Sequence, residues 1–109
     1  MNRLIATDFF KALGDTTRLK LVIALRDKTE DTSQTCNKDD SLNPQSMCVC
    51  ELTELLEQPQ PTISRHLNHL KRVGILTSQR RGTWMWYGIN QDLPKWCKQV
   101  INEVEFIDD

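Results

Sequence analysis

Residues 61–74 read PTISRHLNHLKRVG, and this stretch decides the fold. Pro61 has the fixed φ of a first helical turn and Gly74 is a typical C-terminal stop, so a helix is predicted from about Pro61 to Val73. Three apolar residues recur at i, i+4 and i+7 and predict a face packed in a core: Ile63, Leu67 and Leu70. The opposite face is polar and is free to contact another molecule: Thr62, Arg65, His66 and His69.

Three more helices are predicted before this one. The first runs from about Leu4 to Leu13, where Gly14 ends it, and the second begins after a cap at Asp15 or Thr16. The third begins at Cys48 or Val49 and stops before Pro59, with four apolar residues predicted to be buried: Val49, Leu52, Leu55 and Leu56. Residues 27–46 are polar and predict a flexible loop inserted into a single domain that spans residues 1–109.

A β-hairpin and a final helix follow. Residues 75–81 and 83–89 are β-prone runs joined through Gly82, so they predict a hairpin with a basic tip. The final helix is predicted from about Leu93 to Ile107, and its broad apolar stripe, matched by the apolar first helix, predicts a dimer interface. The residues of that interface are Leu4, Ile5, Phe9, Trp96, Cys97, Val100, Ile101 and Val104. The predicted fold class is mainly α with a small β-hairpin.

Charges are unevenly distributed along the chain, whose formal net charge is −1. From Gln58 to Gln91 there is no Asp or Glu, whereas five arginines and lysines and both histidines lie in that segment. A local excess of positive charge predicts contact with phosphates, because neutralising a phosphate releases condensed counterions. A helix in the major groove and a basic hairpin tip on the backbone would suit double-stranded DNA. The candidate DNA contacts are Gln60, Thr62, Ser64, Arg65, His66, His69, Arg80 and Arg81.

The sequence lacks the signals that are typical of several other classes of protein. No apolar run approaches the ~18 residues of a membrane span and the first residues do not resemble a signal peptide, so we expect a cytoplasmic protein with no membrane partner. In a reducing cytosol, 4 cysteines favour thiolate chemistry over structural disulfides. The chain has no Cys-X-X-Cys pair, no glycine-rich phosphate loop and no evident catalytic triad. These absences argue against an enzyme and against an organic cofactor.

Three stretches carry a resemblance to a known family. Residues 10–19 read FKALGDTTRL, residues 61–67 read PTISRHL and residues 82–87 read GTWMWY, and together they resemble the arsenic-sensing branch of the ArsR/SmtB family of metal-responsive repressors. The likeness covers nearly the whole chain except residues 27–46. It implies a winged helix-turn-helix homodimer that pairs through its first and last helices and binds inverted-repeat operators. Pro59 departs from the family, which usually has a capping Ser there, and predicts a weaker cap.

The sequence Cys48-Val49-Cys50 resembles the metal box of this family, in which a Cys-X-Cys pair at the start of the third helix binds the inducer. Two thiolates favour soft ions over magnesium, calcium or manganese. Side chains at i and i+2 of a regular helix point about 200° apart, so both sulfurs can hold one ion only if the first turn bends. Because this helix positions the next one, ion binding is predicted to disfavour the DNA-bound conformation.

The resemblance leaves the ion and its third ligand open. Arsenic(III) and antimony(III) take three thiolates, and Thr53 stands where arsenic sensors of the family often have a third Cys. Cys36 on the loop is the favoured third ligand, with Cys97 or a small external thiol as alternatives. The histidines that zinc sensors use on the last helix and the N-terminal cysteines of cadmium and lead sensors are missing, which leaves arsenite or antimonite as the expected inducer.

Other functions remain as alternatives. A cadmium- or lead-sensing repressor would have the same fold. So would a repressor that senses oxidants or sulfide, through a disulfide or polysulfide between Cys36 and Cys97 or between Cys48 and Cys50. A metal buffer, from a different class, would have no operator affinity. Comparing the responses of Cys48→Ser to arsenite and to peroxide separates metalloid sensing from redox sensing, and a gel shift with the promoter of its own operon tests the metal buffer.

Overall fold

The computed structural model describes residues 4–27 and 47–105. Within them the chain forms five helices and three strands. In chain order these are α1 Ala6–Leu13, α2 Thr16–Arg26, β1 Met47–Cys48, α3 Val49–Leu56, α4 Gln60–Arg72, β2 Leu76–Arg81, β3 Trp84–Ile89 and α5 Lys95–Glu103. The five predicted helices and the predicted hairpin are confirmed. The predicted loop, apart from Asp27, lies outside the described residues.

Helix boundaries follow local capping chemistry. Asp15 precedes α2, and its Oδ2 accepts a hydrogen bond from the Arg18 backbone N–H at 3.1 Å, which satisfies one otherwise unpaired donor of the first turn. α4 begins at Gln60 after Pro59, which makes no side-chain capping bond, in agreement with the weak cap predicted there. α1 ends at Leu13, and Gly14 follows it as predicted.

All five helices and the sheet enclose one main core. α2 contributes Leu21, Val22 and Leu25 to it, and the predicted apolar face of α4 is fully buried there. In α3, Leu52 is buried, but Leu55 is 58% exposed, so its predicted burial is wrong. The reason is angular: Leu55 lies about 60° around the helix from Leu52, on the flank that turns away from the core.

A three-stranded antiparallel sheet has the strand order β1-β3-β2. Its hairpin, β2–β3, is the wing of a winged helix, and Gly82 in the turn has a φ of 63°, which favours glycine. β1 was not predicted. It has two residues, with Met47 opposite Tyr87 and Cys48 opposite Trp86, and it ties the start of α3 to the middle strand of the wing.

The last helix is shorter than predicted. α5 begins at Lys95 because Pro94 disfavours the helical conformation of the residue before it, Leu93. It ends at Glu103, since Val104 is extended with φ −75° and ψ 144°. Arg26 of α2 donates hydrogen bonds to the last carbonyls, 2.9 Å to Ile101 O and 2.6 Å to Val104 O. No helix within residues 4–27 or 47–105 combines the length and apolar character needed to cross a bilayer.

Candidate functional site

The polar face of α4 presents the predicted DNA-contacting residues on one surface. Gln60 and Arg65 are exposed, and Thr62, Ser64, His66 and His69 are half-buried. Gln60 Nε2 donates to Ser64 Oγ at 3.5 Å, one turn apart along this face. Because Ile63, Leu67 and Leu70 anchor the opposite side in the core, α4 presents this polar face on a rigid base.

His66 is committed in part to contacts within the protein. Arg18 Nη1 lies 3.3 Å from His66 Nδ1, and since arginine can only donate, that ring nitrogen accepts. Burial lowers the pKa of His66, Asp15 at 3.9 Å raises it in part, and the positive charge of Arg18 lowers it further. His66 is therefore neutral near pH 7 and joins α4 to the start of α2.

A cationic cleft lies between α2 and α4. It is an open cavity of about 470 Å³, lined by Arg18, Arg65, His66, Asn68, His69 and Arg72. Burial lowers the pKa of His69, with further lowering by Arg18 and Arg72. Arg18 and Arg72 were not among the predicted contacts. Arg72 lies in the basic segment and could have been included, whereas nothing in the pattern of α2 singled out Arg18.

The wing tip carries the two predicted arginines. Arg80 and Arg81 are the last residues of β2, opposite Met85 and Trp84. Arg80 is exposed and Arg81 is half-buried. The end of β2 therefore carries two arginines beside the wing turn, which suits contact with the DNA backbone.

The predicted thiol site, Cys48 and Cys50, lies at the junction of β1 and α3. Cys48 is fully buried and is the N-cap residue of α3, and Cys50 is half-buried in the first helical turn. The Cys48 backbone N–H donates to Glu51 Oε1 at 3.2 Å, and the Cys48 sulfur in turn accepts from the Glu51 backbone N–H. This reciprocal capping box holds the first turn of α3 closed.

The cysteines differ in their chemical state and in their surroundings. Both sulfurs of the thiol site are disulfide-bonded in this structure, whereas Cys97 on α5 is a free buried thiol whose pKa is raised by burial. Cys97 belongs to the main core, and Cys48 belongs to a separate small cluster with Trp86. Cys36 lies outside the described residues. The part of the chain that is described holds no group of three side chains suited to a metal ion.

An open cavity of about 810 Å³ separates α3 from the wing turn. Cys50 lies in one wall, Trp84 in another, and Gln60 at the start of α4 in a third. The thiol site thus opens towards both elements that carry the predicted DNA contacts.

The predicted dimer face divides into exposed and supporting residues. Ile5 is 54% and Trp96 39% exposed, whereas Phe9, Cys97 and Ile101 are buried within the single chain and have no surface for a partner. Leu4, Val100 and Val104 are half-buried. Phe9, Cys97 and Ile101 therefore support the dimer face from within the chain and do not form its surface.

One exposed aromatic residue of that face was missed. Phe10 of α1 is 54% exposed, and its ring centroid lies 5.8 Å from that of Trp96 on α5. Phe9 supports both rings from beneath, at 5.3 Å from Phe10 and 5.1 Å from Trp96. The helical period of α1 does not by itself place Phe10 on the dimer face, because it does not show which side of α1 is exposed.

Comparisons with known proteins agree with this geometry. A family model described as "Bacterial regulatory protein, arsR family" matches residues 40–78. An uncharacterized HTH-type transcriptional regulator of Methanocaldococcus jannaschii is 37% identical over 99 residues, covering 91% of this chain and 93% of that protein. The arsenical resistance operon repressor of Escherichia coli K12 is 34% identical over 103 residues, covering 94% and 74%. The cadmium resistance regulatory protein CadC of Listeria innocua is 33% identical over 81 residues, covering 74% of this chain and only 55% of that protein.

Solved structures show the same fold. HlyU from Vibrio cholerae superposes with a TM-score of 0.65 at 23% identity and covers 89% of this chain and 84% of its own. The antimony-specific transcriptional repressor AntR superposes with a TM-score of 0.63 at 22% identity, covering 89% and 70%. With relatives above 30% identity along most of its length, the chain belongs to the ArsR family of bacterial regulatory proteins, which are DNA-binding transcriptional regulators and not enzymes.

Proposed function

We propose that this ArsR-family repressor binds its operator as a homodimer and is released when arsenite or antimonite binds the thiolates of Cys48 and Cys50. One observation carries the proposal: Cys48 is both a proposed ligand and the N-cap of α3, the helix immediately before α4. An ion that takes the Cys48 sulfur removes it from the capping box. Relatives and structural neighbours named as arsenical and antimony repressors support the choice of ion.

Operator reading is proposed for α4 and the wing. The major groove, about 12 Å wide, admits a helix, and the exposed face of α4 offers Arg65 to base edges beside Gln60 and Ser64. Arg80 at the wing tip and the cationic cleft are suited to phosphates, which attract positive charge. His66, held by Arg18, would act mainly by orienting α4.

Release is proposed to start at the first turn of α3. Cys48 is the extended N-cap residue and Cys50 lies in the first helical turn, so the sequence prediction that the two sulfurs diverge by about 200° as in a regular helix does not apply to this pair. An ion that takes the Cys48 sulfur would compete with the Glu51 backbone N–H for it, and this is the step proposed to open the first turn. Coupling of this kind between two ligands is about 1–3 kcal/mol. Two connections would carry the change: α3 to α4 through the helix-turn-helix, and β1 to β3 into the wing.

The third ligand is proposed to be Cys36, or failing that a small external thiol. Cys97 is disfavoured, because it is packed in the main core and burial raises the pKa of its thiol, which opposes the thiolate form. Thr53, in the position where arsenic sensors of the family often have a cysteine, donates its hydroxyl to Val49 O at 2.9 Å and is already engaged.

The dimer is proposed to form through α1 and α5. Ile5, Phe10 and Trp96 form an exposed apolar patch, and aromatic residues are enriched in protein interfaces. A Phe10→Asp substitution would place a charge in this patch while leaving the core intact. We expect it to give monomers in sedimentation analysis and to abolish repression, whereas a fully active dimer would overturn this assignment.

A second candidate function is thiol-based redox sensing, which the disulfide-bonded sulfurs of Cys48 and Cys50 favour. Oxidation of two thiols to a disulfide passes two electrons and two protons to an oxidant such as peroxide, which is reduced to water. Since the capping box between Cys48 and Glu51 is present here with both sulfurs disulfide-bonded, a redox switch would have to act on α4 without opening it.

A gel-shift titration separates the two candidates. The reduced protein is bound to promoter DNA of its own operon and treated with arsenite or with peroxide, using wild type, Cys48→Ser and Cys97→Ser. Serine can still cap α3, so Cys48→Ser should keep DNA affinity and lose release by arsenite. Cys97→Ser is the matched control and should behave as wild type. Arsenite release retained in Cys48→Ser would contradict the metalloid proposal, and release by peroxide alone would favour the redox candidate.

A further inference from the structure

Trp86 of β3 has a buried side chain with an unsatisfied polar atom. The residue is 5% exposed, and its indole Nε1 is buried with no hydrogen-bond partner among the residues that the structure describes. Leaving a buried donor unpaired costs about 1–3 kcal/mol. Buried polar groups in native proteins are nearly always paired, so this donor requires an explanation.

The surroundings of Trp86 are those of the thiol site. Trp86 lies opposite Cys48 in the β1–β3 pair, and side chains at such positions have Cβ atoms about 4.5–5.5 Å apart. Cys48 and Trp86 together form a small buried cluster apart from the main core, with Cys50 packed against it. The unpaired donor is therefore in the cluster that holds both proposed ligands.

The chemical state of the sulfur decides whether the indole can be satisfied. A disulfide-bonded sulfur, as in this structure, carries no charge and is a weak acceptor. A thiolate that binds a cation is anionic, and hydrogen bonds to ionised acceptors are roughly twice as strong as neutral ones. The indole N–H of tryptophan can only donate, so it needs an acceptor, and an anionic Cys48 sulfur would supply one.

We propose that Trp86 is a positioning residue of the thiol site, whose indole N–H donates a hydrogen bond to the Cys48 sulfur once that sulfur coordinates the inducing ion. This inference rests on the proposed function. Because the bond forms only in the loaded state, it contributes to the difference in stability between the loaded and DNA-bound states. It also acts on β3, whose first residue is Trp84 beside the wing turn.

The indole proton itself reports this bond. The chain has 3 tryptophans, so ¹⁵N-labelled reduced protein gives three indole N–H signals in an NMR spectrum. Trp96 on α5, 39% exposed, lies outside the cluster and serves as the internal control, whereas Trp84 lines the cavity beside Cys50. The Trp84→Phe and Trp96→Phe variants identify their own signals, so the Trp86 signal is assigned by elimination without a variant at that buried position.

The full-length protein is titrated with arsenite and, separately, with cadmium, while sulfur-to-metal absorption follows ion binding. We expect the Trp86 indole proton to shift downfield in step with binding and that of Trp96 to stay nearly unchanged. Binding without a downfield shift at Trp86 would overturn the inference and leave the proposed function standing. If neither ion gives the absorption, the proposed function fails first and the inference falls with it.

A second measurement uses Trp86→Phe, which keeps an aromatic ring at the position and removes the N–H. We expect its arsenite affinity to fall about tenfold, as for loss of one hydrogen bond to a charged group. The affinity of Trp96→Phe, on α5 and outside the thiol cluster, should equal that of wild type. Operator affinity without inducer reports whether Trp86→Phe is folded; a folded variant with unchanged arsenite affinity would contradict the proposed role.

Discussion

The two helices of the helix-turn-helix are held in different ways. α4 has 13 residues and is fixed along its length by a fully buried apolar face, whereas α3 has 8 residues and its first turn depends on the capping box between Cys48 and Glu51. A helix that recognises DNA bases must be held rigidly to be specific. A sensor, in contrast, needs an element that can change conformation at a moderate cost in free energy. The helix-turn-helix therefore combines rigidity and deformability by placing the deformable first turn of α3 immediately before the rigid helix α4.

The largest effect should come from breaking the rigid side of this comparison. Leu67→Ala removes a fully buried side chain of α4 and should lower the free energy of unfolding by about 2–5 kcal/mol. Leu55→Ala, at a 58% exposed position of α3, is the matched control and should change it by less than about 1 kcal/mol. Denaturant unfolding measures both. Equal losses in the two variants would show that α3 is packed as firmly as α4.

The reading function of α4 is tested at Arg65. Because this side chain is exposed and has no structural role in the core, Arg65→Ala should leave the unfolding midpoint unchanged. Operator affinity should fall by about 1–3 kcal/mol, measured against specific and random DNA at one salt concentration. If Arg65 contacts a base, sequence preference relaxes. A uniform loss on all sequences would reassign it to a phosphate, and no loss would remove it from the interface.

The deformable side is tested at Glu51. Glu51→Ala removes the carboxylate that accepts from the Cys48 N–H and should lower the free energy of unfolding by about 1 kcal/mol. Since one of the two bonds of the capping box is then already missing, arsenite should bind more tightly and release DNA at lower concentration. Glu51→Gln keeps an acceptor and should resemble wild type. Arsenite binding that weakens in Glu51→Ala would contradict the proposed opening of this turn.

The smallest effect concerns pH. Burial lowers the pKa of His66 and of His69, so the unfolded chain binds more protons than the folded one just below the ordinary pKa of 6.5. Stability is therefore complete above that value and is lost as the pH falls through it towards the folded pKa. His66→Gln should flatten this dependence in thermal unfolding between about pH 7 and 5. If the pH profile of His66→Gln equals that of wild type, the lowered pKa of His66 does not contribute to the pH dependence of stability.

The same comparison explains what the sequence could predict. Ile63, Leu67 and Leu70 repeat over about two turns, so the helix and its buried face were predicted correctly. β1 has two residues and no period, and only its pairing with Trp86 and Tyr87 reveals it. Likewise, nothing local indicates that α5 stops at Glu103, because Val104 and the contacts of Arg26 determine its end.

The candidate site residues also differ in whether local sequence pattern or tertiary contacts determine their role. Cys48 and Cys50 were identified from spacing and resemblance, and they lie together, but the capping role of Cys48 depends on the β1–α3 junction. Phe10 and Arg18 were missed, because their importance comes from contacts with Trp96 and His66 that are distant in the chain. Local pattern therefore identified elements and ligands, and tertiary contacts determined their partners.

Hydrogen exchange tests the central claim most directly. Amide exchange of the reduced protein is followed by NMR with and without arsenite, comparing the Glu51 N–H in the first turn of α3 with the Leu67 N–H in α4. The account predicts that arsenite removes protection at Glu51 while Leu67 stays protected. If Glu51 keeps its protection while both sulfurs bind arsenic, the first turn does not open and the proposed switch is wrong.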